Sequence, residues 1–432
     1  MSMAHHGRIQ KDVAEEVALS LKHGDHLRHK SQLFRAVVSF VMLFALLFTR
    51  KRAFEMPEAD MTFALANPVA HGSRFGLAVM GSLRDRKVNL VGDRRLAHES
   101  IIGEMSHFPS LTVRSLKGLV NGRTILRAIR LRMNAAIQRA EYPTLGRLYL
   151  ESLFLVQAIR YQLAEEYVQA ASVNHLWLSD FDRSAYCRPL IWQARALGRP
   201  TATLVHGSPS KHYLPPIAEN ILAWGDAQAR WFDEVAPQCT VRVVGRPELK
   251  KEVPAGRPQR LRIMHSLERL SDDERRSFLH IYESAKRRGM PVSLRMHPSA
   301  NETDLDADWL ALLPVYEVEN HDLGLVESFR SGDVVVGVTS TAIIDALACG
   351  LPAWTLSDTS RQLPADLVTL REYGPSIHRD VFQDQGDSGV GVMTSMPTLD
   401  GVRTAIVAAK AKESAMLIRR AVSDICSDHN FQ

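Results

Sequence analysis

Residues 333–356, DVVVGVTSTAIIDALACGLPAWTL, constrain this chain more than any other stretch. Val334 to Val338 is an apolar, β-branched run interrupted only by Gly337, the pattern of a strand buried on both faces of a parallel sheet. Thr339-Ser340-Thr341 follows, and AIIDALAC then carries apolar residues at helical spacing until Gly350 stops the helix and Pro352 prevents its restart. Three hydroxyls therefore stand where a strand ends and a helix begins. Unpaired N–H groups and the positive end of the helix dipole meet at such a point and favour an anion, most often a phosphate. The same residues also suit an ordinary N-cap, and the stretch alone leaves both readings open.

At 432 residues the chain exceeds one ordinary core, so two domains are expected. The 45% hydrophobic and 23% charged residues match a soluble globular protein rather than a disordered or fibrous one. The net charge of +5 is modest but unevenly spread. Arg114, Lys117, Arg123, Arg127, Arg130, Arg132 and Arg139 crowd one region with no acid between them. That face by itself suits an anionic partner such as a membrane surface, an acidic polysaccharide or nucleic acid, or is simply solvated. No nucleic-acid partner is expected. Cys187, Cys239, Cys349 and Cys426 are scattered, with no CxxC pair, which excludes a zinc motif or disulfide framework and fits a reducing cytoplasm.

Residues 1–70 read as an N-terminal helical leader, polar and His-rich to about residue 32, with the apolar run Leu33–Thr49 after that. Arg50-Lys51-Arg52 follows that run in place of a signal-peptide cleavage site. The run is slightly short for a bilayer span, leaving a buried helix, a helix in the membrane interface or a spanning helix as readings. A sheet is expected from about Arg74, with FGLAVMGS, KVNLVGD and SLTVRS as strands, followed by a long helical region to Val173. HLWLSDFD, PTATLVHG, NILAWG and VRVVGRP then read as strands separated by the helices SAYCRPLIWQARALG and AQARWFDEV. Glu248–Arg260, charged and holding two prolines and a glycine, reads as a linker. The domains are accordingly 71–249 and 250–432. Beyond the linker, LRIMHS, PVSLRMHP and VYEVEN are strands, and Ser271 with Glu274 forms a capping box. GVRTAIVAAKAKESAMLIRRAVSDIC reads as one long closing helix that crosses back to the first domain. Such alternation specifies α/β architecture with two Rossmann-like, doubly wound domains.

Three strand ends carry chemistry-bearing residues: His206-Gly207, His297-Pro298 and Thr339-Ser340-Thr341. Carboxyl ends of parallel strands line the ligand crevice of such sheets, and Pro298 holds the backbone of His297 extended. The strand ending in His297 is expected beside the one ending in Thr339, so that both reach one phosphate. The order RPLIWQARALGRPTATLVHGSPSKHY, ILAWG, VRVVGRP, LRMHPSANE and GVTSTAIIDALACGLP resembles bacterial glycosyltransferases of the GT-B fold. It is similar in particular to the capsule and surface-carbohydrate group, which includes sialyltransferases, polysialyltransferases and teichoic-acid glycerophosphotransferases.

That resemblance implies two domains facing a central cleft and a transferase, inverting and metal-independent, that uses a nucleotide-sugar, for instance a CMP-sugar, with no other cofactor. The acceptor would be a cell-surface polysaccharide or glycolipid. The enzyme would be cytoplasmic, with peripheral contact at the inner membrane face through 33–52 and 114–139. It implies donor or phosphate binding by His297, Thr339, Ser340, Thr341, Gly245 and Arg295. Asp180, Asp182 and His206 are candidates for the base, His297 for stabilising the leaving phosphate, and Lys211, His212 and Arg183 for the acceptor side. Asp182 also suits a helix N-cap, His206 also suits a sheet-edge position, and Asp304, Asp306 and Asp308 read as solvated surface. A glycerophosphotransferase, a sugar-nucleotide 2-epimerase and an inactive sugar-nucleotide or polysaccharide binding protein are the alternatives.

Overall fold

The computed structural model describes residues 37, 59–65, 76, 78–92, 112–114, 160–162, 164–183, 187–254, 256–265, 270–297, 317–319, 324–382 and 397–430. The apolar run 33–49, the basic region after Arg114, Pro298 and the acidic run 304–308 lie outside them, apart from Val37.

The strands are β1 (Met61–Leu65), β2 (Val88–Gly92), β3 (Thr112–Arg114), β4 (Leu176–Ser179), β5 (Thr201–Leu204), β6 (Asn220–Ala223), β7 (Thr240–Val243), β8 (Arg260–Met264), β9 (Val292–Arg295), β10 (Glu317–Val318), β11 (Asp333–Gly337) and β12 (Ala353–Thr355). The first sheet has the order β3-β2-β1-β4-β5-β6-β7 and the second β10-β9-β8-β11-β12. Neighbours β1·β2, β1·β4 and β4·β5 are parallel, as are all four pairs of the second sheet. In both sheets the chain winds outward in one direction, returns to the middle and continues in the other. This doubly wound order has its switch points between β1 and β4 and between β8 and β11, where ligands of open α/β sheets bind.

Around them lie α1 (Cys187–Ala196), α2 (Asp226–Val235), α3 (Asp272–Arg287), α4 (Leu325–Ser328), α5 (Thr341–Ala348), α6 (Ala365–Phe382), α7 (Pro397–Ile406) and α8 (Ala411–Asn430). β11 is buried along all five residues, as its unbroken apolar run requires. The Ser271–Glu274 capping box forms at the head of α3, with both reciprocal bonds made.

Two compact units divide the chain. The first comprises Met1–Leu204, Pro215–Ile221 and Val422–Gln432, and the second Val205–Leu214 and Leu222–Ala421. The last helix thus belongs to the second unit as far as Ala421 and to the first from Val422. The change from one sheet to the other falls at Glu248–Arg260, yet that segment lies inside the second unit, with Leu249 and Val253 buried in its core.

Three expectations are corrected. The sheet begins at β1, not at Arg74; all five residues of MTFAL are buried, although they lie in what reads as leader. FGLAVMGS is not a strand: residues 78–82 are helical, because Val79, Met80 and Leu83 bury one helical face. The closing helix is two helices, α7 and α8, broken at residues 407–410. There the Ala408 amide donates to the Trp224 carbonyl at 2.9 Å and the Arg246 amide to the Ala409 carbonyl at 2.8 Å. Backbone groups committed to another segment cannot continue an i→i−4 ladder.

Candidate functional site

In the second unit, the carboxyl ends of β9, β8 and β11 stand side by side. β11 ends at Gly337, where a Cβ would lie 2.7 Å from the Met264 carbonyl oxygen and 3.1 Å from Ile343 Cδ1. Only glycine lets β8, β11 and α5 approach so closely. The Thr355 hydroxyl donates to the Val338 carbonyl at 2.6 Å and holds the strand end. Thr339, Ser340 and Thr341 follow, all half-buried. Ser340 is the N-cap of α5, and its Oγ accepts from the Ala342 amide at 3.3 Å. The N-cap reading is therefore correct for Ser340, and with the Ile343 amide donating to the Ser340 carbonyl at 3.1 Å, two of the four N–H groups at this helix head are engaged.

The neighbouring helix head is a contrast. α3, which follows β8, has Asp272, Asp273 and Glu274 in its first turn, and Glu274 also pairs with Arg361 at 2.5 Å. Its positive end is already neutralised. α5 has no acid in its first turn.

His297 is exposed, two residues beyond the end of β9. The expectation that its strand adjoins β11 fails, because β8 lies between them. Strand separations of about 4.8 Å put the two ends about 10 Å apart, so a group touching both must bridge the end of β8. Arg295, the last residue of β9, is buried with its Nη1 3.4 Å from Glu319 Oε2. Glu319, bonded also by Arg262 and Ser293, is held at about 2: burial opposes the shift, but these partners outweigh it.

Motif residues Trp224, Gly245 and Arg246 form a staple. Gly245 has φ +74°, and a Cβ there would lie 2.1 Å from the Ala409 carbonyl. Arg246 stacks on Trp224 at 4.2 Å and pairs with Glu248 at 2.7 Å and Asp345 at 2.5 Å. Gly245, expected at the phosphate, is thus explained by this chain crossing.

His206 is half-buried in the loop 205–214, its Nδ1 3.3 Å from the Tyr213 hydroxyl. Lys211, exposed, and His212 lie in the short 3-10 turn Lys211–Tyr213 of that loop. The loop belongs to the second unit, held there by a residue that sequence reasoning missed. Asp366, in the first turn of α6, is fully buried, and its Oδ2 accepts from the Ser208 hydroxyl at 3.0 Å and from Gln228 Nε2 at 2.9 Å. Its Oδ1 is buried with no partner among the described residues. Burial pushes Asp366 up to about 6, against the pull of Gln228, Ser208 and Arg246. Within PADLVTL an aspartate reads only as a first-turn acid, and no local signal reveals a partner 158 residues away.

In the first unit, Asp180 and Asp182 follow β4 at the other switch point, both 1% exposed. Asp180 Oδ1 lies 3.7 Å from the Cys187 thiol. Asp182 Oδ2 accepts from the Ile217 and Ala218 amides at 2.6 and 2.8 Å, so its carboxylate fixes a distant turn. Burial pushes Asp182 up despite these amides and the charges of Arg183 and Arg188. Arg183 is itself buried.

No family model and no curated protein matches this chain. Among solved structures, it is similar to a variant of the O-GlcNAc transferase of Thermobaculum terrenum, with a TM-score of 0.51 at 11% identity, covering 97% of this chain and 83% of that one. It is also similar to a UDP-N-acetylglucosamine 2-epimerase assigned in Listeria monocytogenes (TM-score 0.48, 13% identity, 87% of this chain and 98% of that one). A third is the trehalose 6-phosphate synthase of Burkholderia multivorans (TM-score 0.47, 12% identity, 86% and 97%). With its two doubly wound sheets, the chain has the GT-B fold.

Proposed function

We propose that this protein is a glycosyltransferase that moves a sugar from a nucleotide-activated donor to a cell-surface polysaccharide or glycolipid. The observation that carries this reading is the head of α5. It stands at the β8/β11 switch point, with three half-buried hydroxyl residues and no acid in its first turn. A donor phosphate there meets the hydroxyls of Thr339, Ser340 and Thr341, the free amides of the helix and its dipole. His297, exposed at the end of β9, donates to the same diphosphate or monophosphate as charge develops on it during sugar departure. Arg295, two residues before His297 at the end of β9 and paired with Glu319, is a further proposed donor-side residue.

His206 is the proposed base. Unlike Asp180 and Asp182, each 1% exposed, it is half-buried, so an acceptor hydroxyl has access to it. The Tyr213 hydroxyl 3.3 Å from Nδ1 orients the ring, and the imidazole is the proposed acceptor of the sugar hydroxyl's proton. Lys211, His212 and Arg183 are the proposed acceptor-side residues. We place the reaction at the inner membrane face on the strength of the sequences 33–52 and 114–139. Among the described residues no helix is long and apolar enough to cross a membrane.

The test is a panel of CMP, CDP, UDP and GDP and their sugars, read by thermal stabilisation and then by nucleotide release with polysaccharide acceptors. A ligand that binds only the folded state stabilises it by about 2.7 kcal/mol at a hundredfold excess over Kd. Stabilisation by one nucleotide together with acceptor-dependent release supports the proposal. Binding without release under any acceptor leaves a sugar-nucleotide binding protein instead.

A further inference from the structure

An open, cleft-like cavity of about 480 Å³ lies in the second unit between α3, the end of β12 and α6. Its lining includes Arg276 and His280 from α3 and Arg371 and His378 from α6 and, among the described residues, no carboxylate. The acids nearby are already engaged. Asp273 pairs with Arg276, Glu274 with Arg361, and the Asp358 carboxylate accepts from Ser271 and Ser360. Arg371 donates from Nη1 to the backbone oxygen of Asp358 at 2.9 Å, so no carboxylate among the described residues neutralises it. The imidazoles of His280 and His378 stack at 5.6 Å and 30°. His378 Nε2 is buried without a hydrogen-bond partner among the described residues. Trp354, Ile281 and Pro375 supply an apolar wall.

Two stacked imidazoles repel each other when charged and Arg371, unlike the Asp273-paired Arg276, adds to the repulsion, so this face is complementary to an anion. One with several acceptor oxygens satisfies the Arg371 fork and the His378 Nε2 together. An apolar wall and a volume within the range of small-molecule sites suit a ligand with a carbon body. We propose that this cavity is a ligand site separate from the head of α5, and that it takes a small phosphate monoester. It stands independently of the proposed transfer reaction. Burial and the neighbouring His280 hold His378 below the ordinary histidine value. A bound dianion opposes both effects and draws a proton onto the pair. Binding therefore tightens as pH falls, and among the described residues the charged groups facing the pair are the Asp273-paired Arg276 on α3 and Arg371 on α6, with none from β12.

The experiment titrates the full chain with glucose 6-phosphate, inorganic phosphate and unphosphorylated glucose, reading affinity by calorimetry and the two imidazoles by histidine-selective NMR at pH 6 and pH 8. Glucose 6-phosphate is expected to shift the resonances of His280 and His378, to bind more tightly at pH 6, and to lose about tenfold in affinity in Arg371→Met. Ser340→Ala should leave it unchanged. If Arg371→Met lowers the melting temperature, His280→Gln, at an exposed position, replaces it. The proposal is overturned if glucose 6-phosphate moves neither resonance. It is likewise overturned if glucose binds equally well, or if Ser340→Ala abolishes the binding and the cavity variants do not.

Discussion

Arg246 and Asp345 meet at 2.5 Å in the interior of the second unit, although 99 residues separate them in sequence. Burial disfavours a charge on Arg246, but Asp345 and Glu248 together keep its pKa above the ordinary arginine range. The pair anchors the turn after β7 to the helix whose head carries Ser340. Removing one member of such a pair strands the other as a buried charge, which costs about 3–5 kcal/mol. Arg246→Ala should lower unfolding free energy by that order in urea, and Arg246→Met with Asp345→Leu and Glu248→Gln, which removes all three charges, should recover most of it. A single-variant loss below about 1 kcal/mol, as for surface pairs, would show that the pair carries no such burden.

Asp366 makes stability depend on pH in a fixed direction. Its folded value of about 6 lies above the ordinary 3.8, so the unfolded chain releases this proton first as pH rises. Its contribution is favourable below about pH 4 and is lost as pH climbs toward 6, amounting to on the order of 3 kcal/mol between the two limits. Asp366→Asn, which keeps an acceptor for Ser208 and Gln228, should melt higher than the parent at pH 7.5 and close to it at pH 4. Melting curves across that range check it, and a constant difference would rule out the titration of Asp366 as the cause.

At the head of α5, Ser340→Ala and Thr341→Ala should each weaken nucleotide binding by roughly 1 kcal/mol, the net contribution of one hydrogen bond, and more where the phosphate is charged. Ser340→Ala should also cost about 1 kcal/mol of stability, because it removes the cap to Ala342. Calorimetry and melting measured on the same samples separate the two effects. Equal affinity in both variants would move the donor elsewhere.

His297 is exposed and outside the core, so His297→Ala should leave the melting temperature nearly unchanged. Its proposed contact strengthens only as charge leaves the sugar. Turnover should therefore fall on the order of 10²-fold, with a smaller change in donor affinity. Single-turnover kinetics against donor Kd decide it, and unchanged turnover removes His297 from the mechanism.

Much of the second unit was legible in the residues themselves. The run at Val334–Val338, the hydroxyls at 339–341, the stop at Gly350 and the Ser271 capping box are local patterns. Strand, cap and helix end each depend on a few neighbouring residues, so sequence by itself determined them, and with them the alternation that makes two doubly wound sheets. What it could not reveal depended on partners far along the chain. MTFAL is too short to announce itself, and only pairing with β2 and β4 makes it the strand beside the switch point. A continuous helical pattern ran through residues 407–410, yet Trp224 and Arg246 claim the backbone there. β8 separates His297 from Thr339 because strand order is set by packing of whole units rather than by order along the chain. Asp366 acquires its burial, its two donors and its raised pKa only when α6 closes on Ser208 and Gln228. Local patterns settle which elements form; desolvation and long-range hydrogen bonds, which exist only after packing, settle which side chains meet and which of them can carry a charge.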